Sequence, residues 1–173
     1  MINMSKIAAG LILLLLFPLC AMAEDPFSKT DHLFSIERSK NGNSVHYDVS
    51  LKENDDLADS DPVTVHWVLE NGQREELNLV QKKYAYGILS QERLEKNKFR
   101  IMLAALKDFK IIVEKVDGDY KAVLSINGIQ SILDRIYVKA EERQVGLPKV
   151  TFIDVFGRAL NTHSPVRERI LPK

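Results

Sequence analysis

Three residues carry the donor chemistry of a metal site: His46, Asp48 and His66. His46 and Asp48 stand two apart in Val45-His46-Tyr47-Asp48-Val49, and His66 precedes the single tryptophan in Val63-Thr64-Val65-His66-Trp67. Residues two apart in an extended chain share a face. If the two strands pair antiparallel, both imidazoles and the carboxylate therefore lie on the face away from Trp67. Imidazole nitrogen and carboxylate oxygen suit zinc or manganese, and a bound ion would support metal-assisted hydrolysis. No His-Glu-x-x-His spacing accompanies them. The same alternation is also what the wet face of a half-buried sheet displays.

A second candidate is apolar. Trp67, Tyr84 and Tyr86 combine flat apolar bodies with polar tips, which suits the lining or rim of a ligand pocket. They serve equally as core and rim residues of a β-domain. Other chemistries find less. No Gly-x-Ser-x-Gly elbow is present, and His163 beside Ser164 makes no triad. The eight glycines are scattered singly, so no phosphate-cradling loop exists. The acidic run around Asp55-Asp56 and Asp59-Ser60-Asp61 lacks the spacing of a calcium loop and reads as a solvated segment. With 24 Lys+Arg against 24 Asp+Glu, interleaved throughout, there is no basic stripe for nucleic acid. No cofactor is expected.

Residues 1–23 read as a signal peptide. Lys6 supplies the positive region, Ile7 to Leu19 the apolar core, and Ala21-Met22-Ala23 the small-x-small cleavage pattern. The apolar run is too short for a comfortable membrane span, and Leu19 is too bulky for the residue before a lipidated Cys20. Cleavage after Ala23 places the mature protein in the periplasm or outside the cell, without a transmembrane span. It also removes Cys20, the one cysteine, and with it thiol catalysis, cysteine–zinc sites and disulfides.

Residues 24–173 read as one β-rich domain. Four strands form a meander from Phe99 to Glu141, with two-residue turns at Asp117-Gly118 and Asn127-Gly128. The first turn predicts Val113 opposite Ala122, Ile112 opposite Val123 and Glu114 opposite Lys121. The second predicts Ile126 opposite Ile129 and Leu124 opposite Ser131. Beyond that the alternation breaks, which predicts a bulge near Asp134-Arg135. A less marked turn at Leu106-Lys107-Asp108-Phe109 opens the meander.

Upstream, His32 to Arg38 reads as a strand with His32 at its edge. Asn41-Gly42-Asn43 turns into a strand that aims Val45, Tyr47, Val49 and Leu51 inward. Glu53 to Pro62 reads as a surface loop, and Val63 to Glu70 as a strand ending at Asn71-Gly72. The Leu77–Ile88 region is ambiguous between helix and strand; the reading adopted is a short helix ending near Tyr84, then extended chain, with Gln91 to Lys98 as a charged loop. After a break at Gly146-Leu147-Pro148, Val150 to Phe156 is a strand apolar on both faces, and Val166 to Leu171 a last edge strand. About nine or ten short strands with at most one or two short helices make an all-β, antiparallel sandwich or barrel.

Several segments resemble an uncharacterised family of exported bacterial proteins known only as a domain of unknown function. They are Ser35-Ile36-Glu37-Arg38-Ser39-Lys40-Asn41, Val45 to Val49, Pro62-Val63 through His66-Trp67, and Tyr84-Ala85-Tyr86-Gly87. Tyr120-Lys121-Ala122 and Arg135-Ile136-Tyr137-Val138 fit the same pattern. The resemblance implies no activity, cofactor or catalytic residue. The expectation is an exported, non-enzymatic binding or structural β-domain of the cell envelope, its partner an envelope protein or a small apolar ligand. The alternative is a metal-assisted hydrolase using His46, Asp48 and His66.

Overall fold

The computed structural model describes residues 29–39, 41–141 and 148–172; the predicted leader and the Gly146-Leu147 break lie outside them. Among the described residues, eleven strands join in one sheet, accompanied by one helix of six residues. In chain order these are β1 (Lys29–Arg38), β2 (Ser44–Leu51), β3 (Val63–Val68), β4 (Arg74–Glu75), α1 (Leu79–Tyr84), β5 (Ile88–Glu95) and β6 (Lys98–Leu103). Then come β7 (Leu106–Val116), β8 (Asp119–Ile126), β9 (Ile129–Glu141), β10 (Lys149–Ala159) and β11 (Pro165–Ile170). No described helix is long and apolar enough to cross a membrane.

The all-β expectation holds, and the choice between sandwich and barrel resolves to a single sheet curled into a half-barrel. Its order is β4-β3-β2-β1-β9-β8-β7-β6-β5, with β10 on the other edge of β9 and β11 outside β10. The fork is at β9. One edge of β9 runs along β10; the other pairs with β8 as far as Ile132 and with β1 from Arg135 to Val138. The β1–β9 pairing is parallel and the remaining ladders are antiparallel.

The meander has the register read from its turns. Asp117 and Gly118 sit at φ of 53° and 94°, Asn127 and Gly128 at 50° and 79°, the left-handed pair a tight hairpin turn requires. Val113 faces Ala122, Glu114 faces Lys121, and Leu124 faces Ser131. The expected bulge is present: Phe156 pairs with Arg135 and Gly157 with Leu133, so Asp134 is skipped where β9 changes partner.

Two expectations are corrected. The first turn of the meander is Ala104-Ala105, and Leu106 to Phe109 belong to β7. Residues Gln91 to Glu95 are strand, not loop: β5 turns at Lys96-Asn97, where Asn97 takes φ of 59°. The charges misled because β5 is an edge strand, exposed on one side, and edge strands carry charge as protection. The Leu77–Ile88 region follows its expected course of short helix, then extended chain. Asn78 caps α1 with its side chain on the Gln81 amide, and Gln81 reaches back to the Asn78 amide.

The concave side is the core. Val45, Tyr47, Val49 and Leu51 from β2 are no more than 1% exposed and pack with Phe34, Ile101, Ile111, Leu133 and Ile136. Phe34 stacks on Tyr47 at 4.4 Å between centroids. The loop after β2 is more than a solvated excursion, since Leu57 and Ala58 are buried. Asn97 accepts from the Leu57 amide at 3.0 Å, which ties that loop to the β5–β6 hairpin. At the same place the curl returns on itself. The Gln91 side chain accepts from Val63 N (2.9 Å) and donates to Val63 O (3.0 Å), so one side-chain amide bridges β5 to the free edge of β3.

On the convex side, β10 carries Phe152 and Phe156. They are covered by guanidinium groups rather than by a second layer: Arg169 lies 3.8 Å over Phe152, and Arg135 4.1 Å over Phe156. This explains a strand apolar on both faces where the described residues form one sheet.

Candidate functional site

The convex face of β1–β4 gathers the polar residues of interest. The alternation that sends Tyr47 inward sends Ser44, His46, Asp48 and Ser50 outward. Antiparallel pairing sets His46 directly opposite His66, and Asp48 opposite Thr64. The three predicted donors thus share the face away from Trp67, but the group whose ligand atoms lie within 4.8 Å of one another contains His32 in place of His66. In β4, Arg74 pairs opposite Val68 and reaches the same patch.

His32 is the addition that sequence reasoning missed. Strict alternation would align it with Phe34 and Ile36, both core residues. A bulge in β1 shifts the register between His32 and Phe34. Phe34 therefore stays inward against Tyr47, while His32 turns outward directly opposite Asp48. The signal was present only in the pair Leu33-Phe34, two adjacent apolar residues that are both buried.

Asp48 is the centre of the cluster and is only 3% exposed. His32 Nδ1 donates to its Oδ1 at 3.0 Å. On the other oxygen, His66 Nε2 and Arg74 Nη1 each stand 3.7 Å away, beyond hydrogen-bond length. His66 Nε2 is buried and has no hydrogen-bond partner. The ring of His46 lies 4.6 Å from that of His32, and its Nε2 shares a 2.9 Å hydrogen bond with Ser44 Oγ. His32, His46 and Asp48 each offer one ligand atom within 4.8 Å of the others.

Burial acts to raise the Asp48 carboxyl. The hydrogen bond from His32 and the charges of His66, His32 and Arg74 outweigh it and leave the group below its ordinary value. Burial lowers His46, helped by the neighbouring His32, and burial likewise lowers His66. At neutral pH the patch holds one carboxylate and two imidazoles in the neutral form that can donate to a metal. At 3% exposure, the Asp48 carboxylate is not a solvated surface group.

The aromatic candidates separate. Trp67, 5% exposed, meets Tyr86 edge to face at 5.3 Å, and its Nε1 donates to Gln81 Oε1 at 3.1 Å. Tyr86 O accepts from the Tyr47 hydroxyl at 2.6 Å. Trp67 and Tyr86 thus seat α1 on the half-barrel, whereas Tyr84 points to solvent beside Lys83. A cavity of about 450 Å³ lies elsewhere, between Ile129, Ala159, Asn161, Ser164 and Val166. His163 sits in the adjoining turn at φ of 55°, far in sequence from the histidine patch.

The family profile for a domain of unknown function, DUF4833, matches residues 34–169, and the chain belongs to that family. No curated protein and no solved structure matches it. His46, Asp48, His66 and Arg74 fall inside the matched span, and His32 lies just before it.

Proposed function

We propose that this DUF4833 domain is a non-enzymatic binding module of the bacterial cell envelope whose ligand is a divalent transition metal ion. The ion is taken by His32, His46 and Asp48. The observation that carries this reading is a buried carboxylate with the donor atoms of two imidazoles within 4.8 Å. In a tetrahedral site, donors about 2.0 Å from the ion stand about 3.3 Å apart. Small rotations of half-exposed imidazoles supply that contraction. Ser44 holds His46 Nε2 at 2.9 Å; with an ion on Nδ1, this bond would be the outer-shell support that metal-bound histidines use. The leader pattern of residues 1–23 supports export.

Three protein donors leave one tetrahedral position open, and this favours the second reading, a metal-assisted hydrolase. Glu76 counts against it as a proton acceptor: its charge is felt at His66, but its carboxylate is tied to Lys82 at 2.9 Å.

Titration of the full chain with zinc, followed by calorimetry, tests the proposal. Wild type binds one equivalent; His32→Ala, His46→Ala and Asp48→Asn each weaken binding by about a hundredfold or more. No stoichiometric zinc, or variants that bind as wild type does, would rule it out. Metal-dependent turnover of phosphate or carboxylate esters, lost in His46→Ala, would move the assignment to the hydrolase.

A further inference from the structure

The side of Asp48 facing Oδ2 differs from the side facing His32. We infer that the metal-loaded site takes a small oxyanion of the phosphate class there, received by Arg74 and His66 and completing the open coordination position. The inference rests on the metal-binding reading.

Charge is the first ground. The patch sets one carboxylate, Asp48, against one guanidinium, Arg74. A divalent ion added to this pair leaves two positive charges uncompensated on a partly buried face. Glu76, a further acid whose charge reaches His66, is already matched by Lys82 at 2.9 Å. A phosphate dianion restores neutrality in one ligand, and an uncompensated buried charge is costly.

Geometry is the second ground. Arg74 is 64% exposed at its side chain and stands 3.7 Å from Asp48 Oδ2, too long for a hydrogen bond. Its guanidinium is anchored by charge but not saturated, and it has five donors in a planar fork suited to phosphate oxygens. Three arginines elsewhere on the sheet are committed. Arg158 meets Asp134 at 2.8 Å, and Arg167 and Arg169 meet Asp154 at 2.6 and 2.7 Å. His66 adds a buried ring nitrogen that has no hydrogen-bond partner and stands at the same 3.7 Å from the same oxygen. A polar group left unpaired in a buried position calls for a partner. An anion placed over Oδ2, bound to the ion and facing Arg74, supplies one.

The full chain loaded with cobalt(II) reads both events, because the visible spectrum reports coordination number and ligand exchange. Wild type is expected to bind one equivalent of cobalt, and added inorganic phosphate is expected to change its spectrum saturably. Arg74→Gln removes a cation beside Asp48, so cobalt binds at least as tightly as in wild type while the phosphate response weakens by about tenfold or more. A cobalt spectrum indifferent to phosphate, or an Arg74→Gln variant that responds as wild type does, overturns this inference and leaves the metal site standing. Failure to bind cobalt at all overturns the metal site and this inference with it.

Discussion

Two buried aspartates on the same convex surface show what separates a site from a strut. Asp154, 3% exposed, is gripped on both oxygens: Arg169 Nε and Nη2 at 2.8 and 2.7 Å, and Arg167 Nη2 at 2.6 Å. Those contacts, Arg169 foremost, hold its carboxyl down at about 2. Asp48 has one short bond and two long ones, so its second oxygen can still be recruited. The saturated pair makes a prediction about acid. A depressed carboxyl contributes stability that is complete above its unfolded value of 3.8 and is lost as pH falls through about 2. Urea unfolding of wild type should weaken across that window. Asp154→Asn should be less stable at pH 7 and show a flatter dependence below pH 4. Equal slopes for the two proteins would show that Asp154 does not drive acid sensitivity. His46, Asp48 and His66 were legible in the sequence because β2 and β3 keep period two without interruption. Arg74 was not, since a two-residue strand offers no period to read.

At the scale of elements, turns were legible and bulges were legible only by their symptoms. Asp117-Gly118 and Asn127-Gly128 state their geometry in residue type, so the β7–β9 register followed. The lost alternation after Leu133 announced a bulge but not its cause, which is that β9 exchanges β8 for β1 at that point. Gly157 belongs to the same event. It sits at the register shift of β10, where an added Cβ would lie 2.2 Å from Ile132 O and 2.7 Å from Ile126 Cδ1. A backbone oxygen in a ladder cannot step aside. Gly157→Ala is therefore expected to cost about 1–3 kcal/mol, by forced displacement of β10 from β9. Gly42 is the comparison, because a Cβ there meets the side chain of Glu70, which can swing away. Urea midpoints for the two alanine variants check this, and Gly157→Ala should fall clearly below Gly42→Ala. A Gly157→Ala midpoint equal to wild type would mean that β9 and β10 are not packed this closely.

At the scale of the whole molecule, the feature hardest to foresee is how the sheet curls and where it closes. Local patterning supplied strands and faces. Closure depends on contacts between distant segments: β1 against β9 in parallel, and β5 returning to β3. Neither leaves a mark on the periodicity of the strands involved. The second contact uses no ladder. Gln91 reproduces one rung of main-chain pairing with its side-chain amide, accepting from Val63 N and donating to Val63 O. Asn97 on Leu57 N and the Arg93–Asp59 ion pair at 3.2 Å flank it. The ion pair is exposed and contributes little, so the amide bridge carries the seam. Gln91→Ala strands both backbone groups of Val63, a residue only 2% exposed, and the expected cost is about 1–3 kcal/mol. Gln91→Glu keeps the acceptor and loses the donor, so it should fall between alanine and wild type near neutral pH. Hydrogen exchange distinguishes seam opening from general loosening. The Val63 amide should exchange far faster in Gln91→Ala, while the Val123 and Ile132 amides at the centre of the meander keep their protection once corrected for global stability. If Val63 and Val123 accelerate together, Gln91 supports the fold as a whole and the half-barrel has no separable seam. If neither changes, β5 and β3 are held by the hairpin contacts at Leu57 and the side-chain amide is incidental.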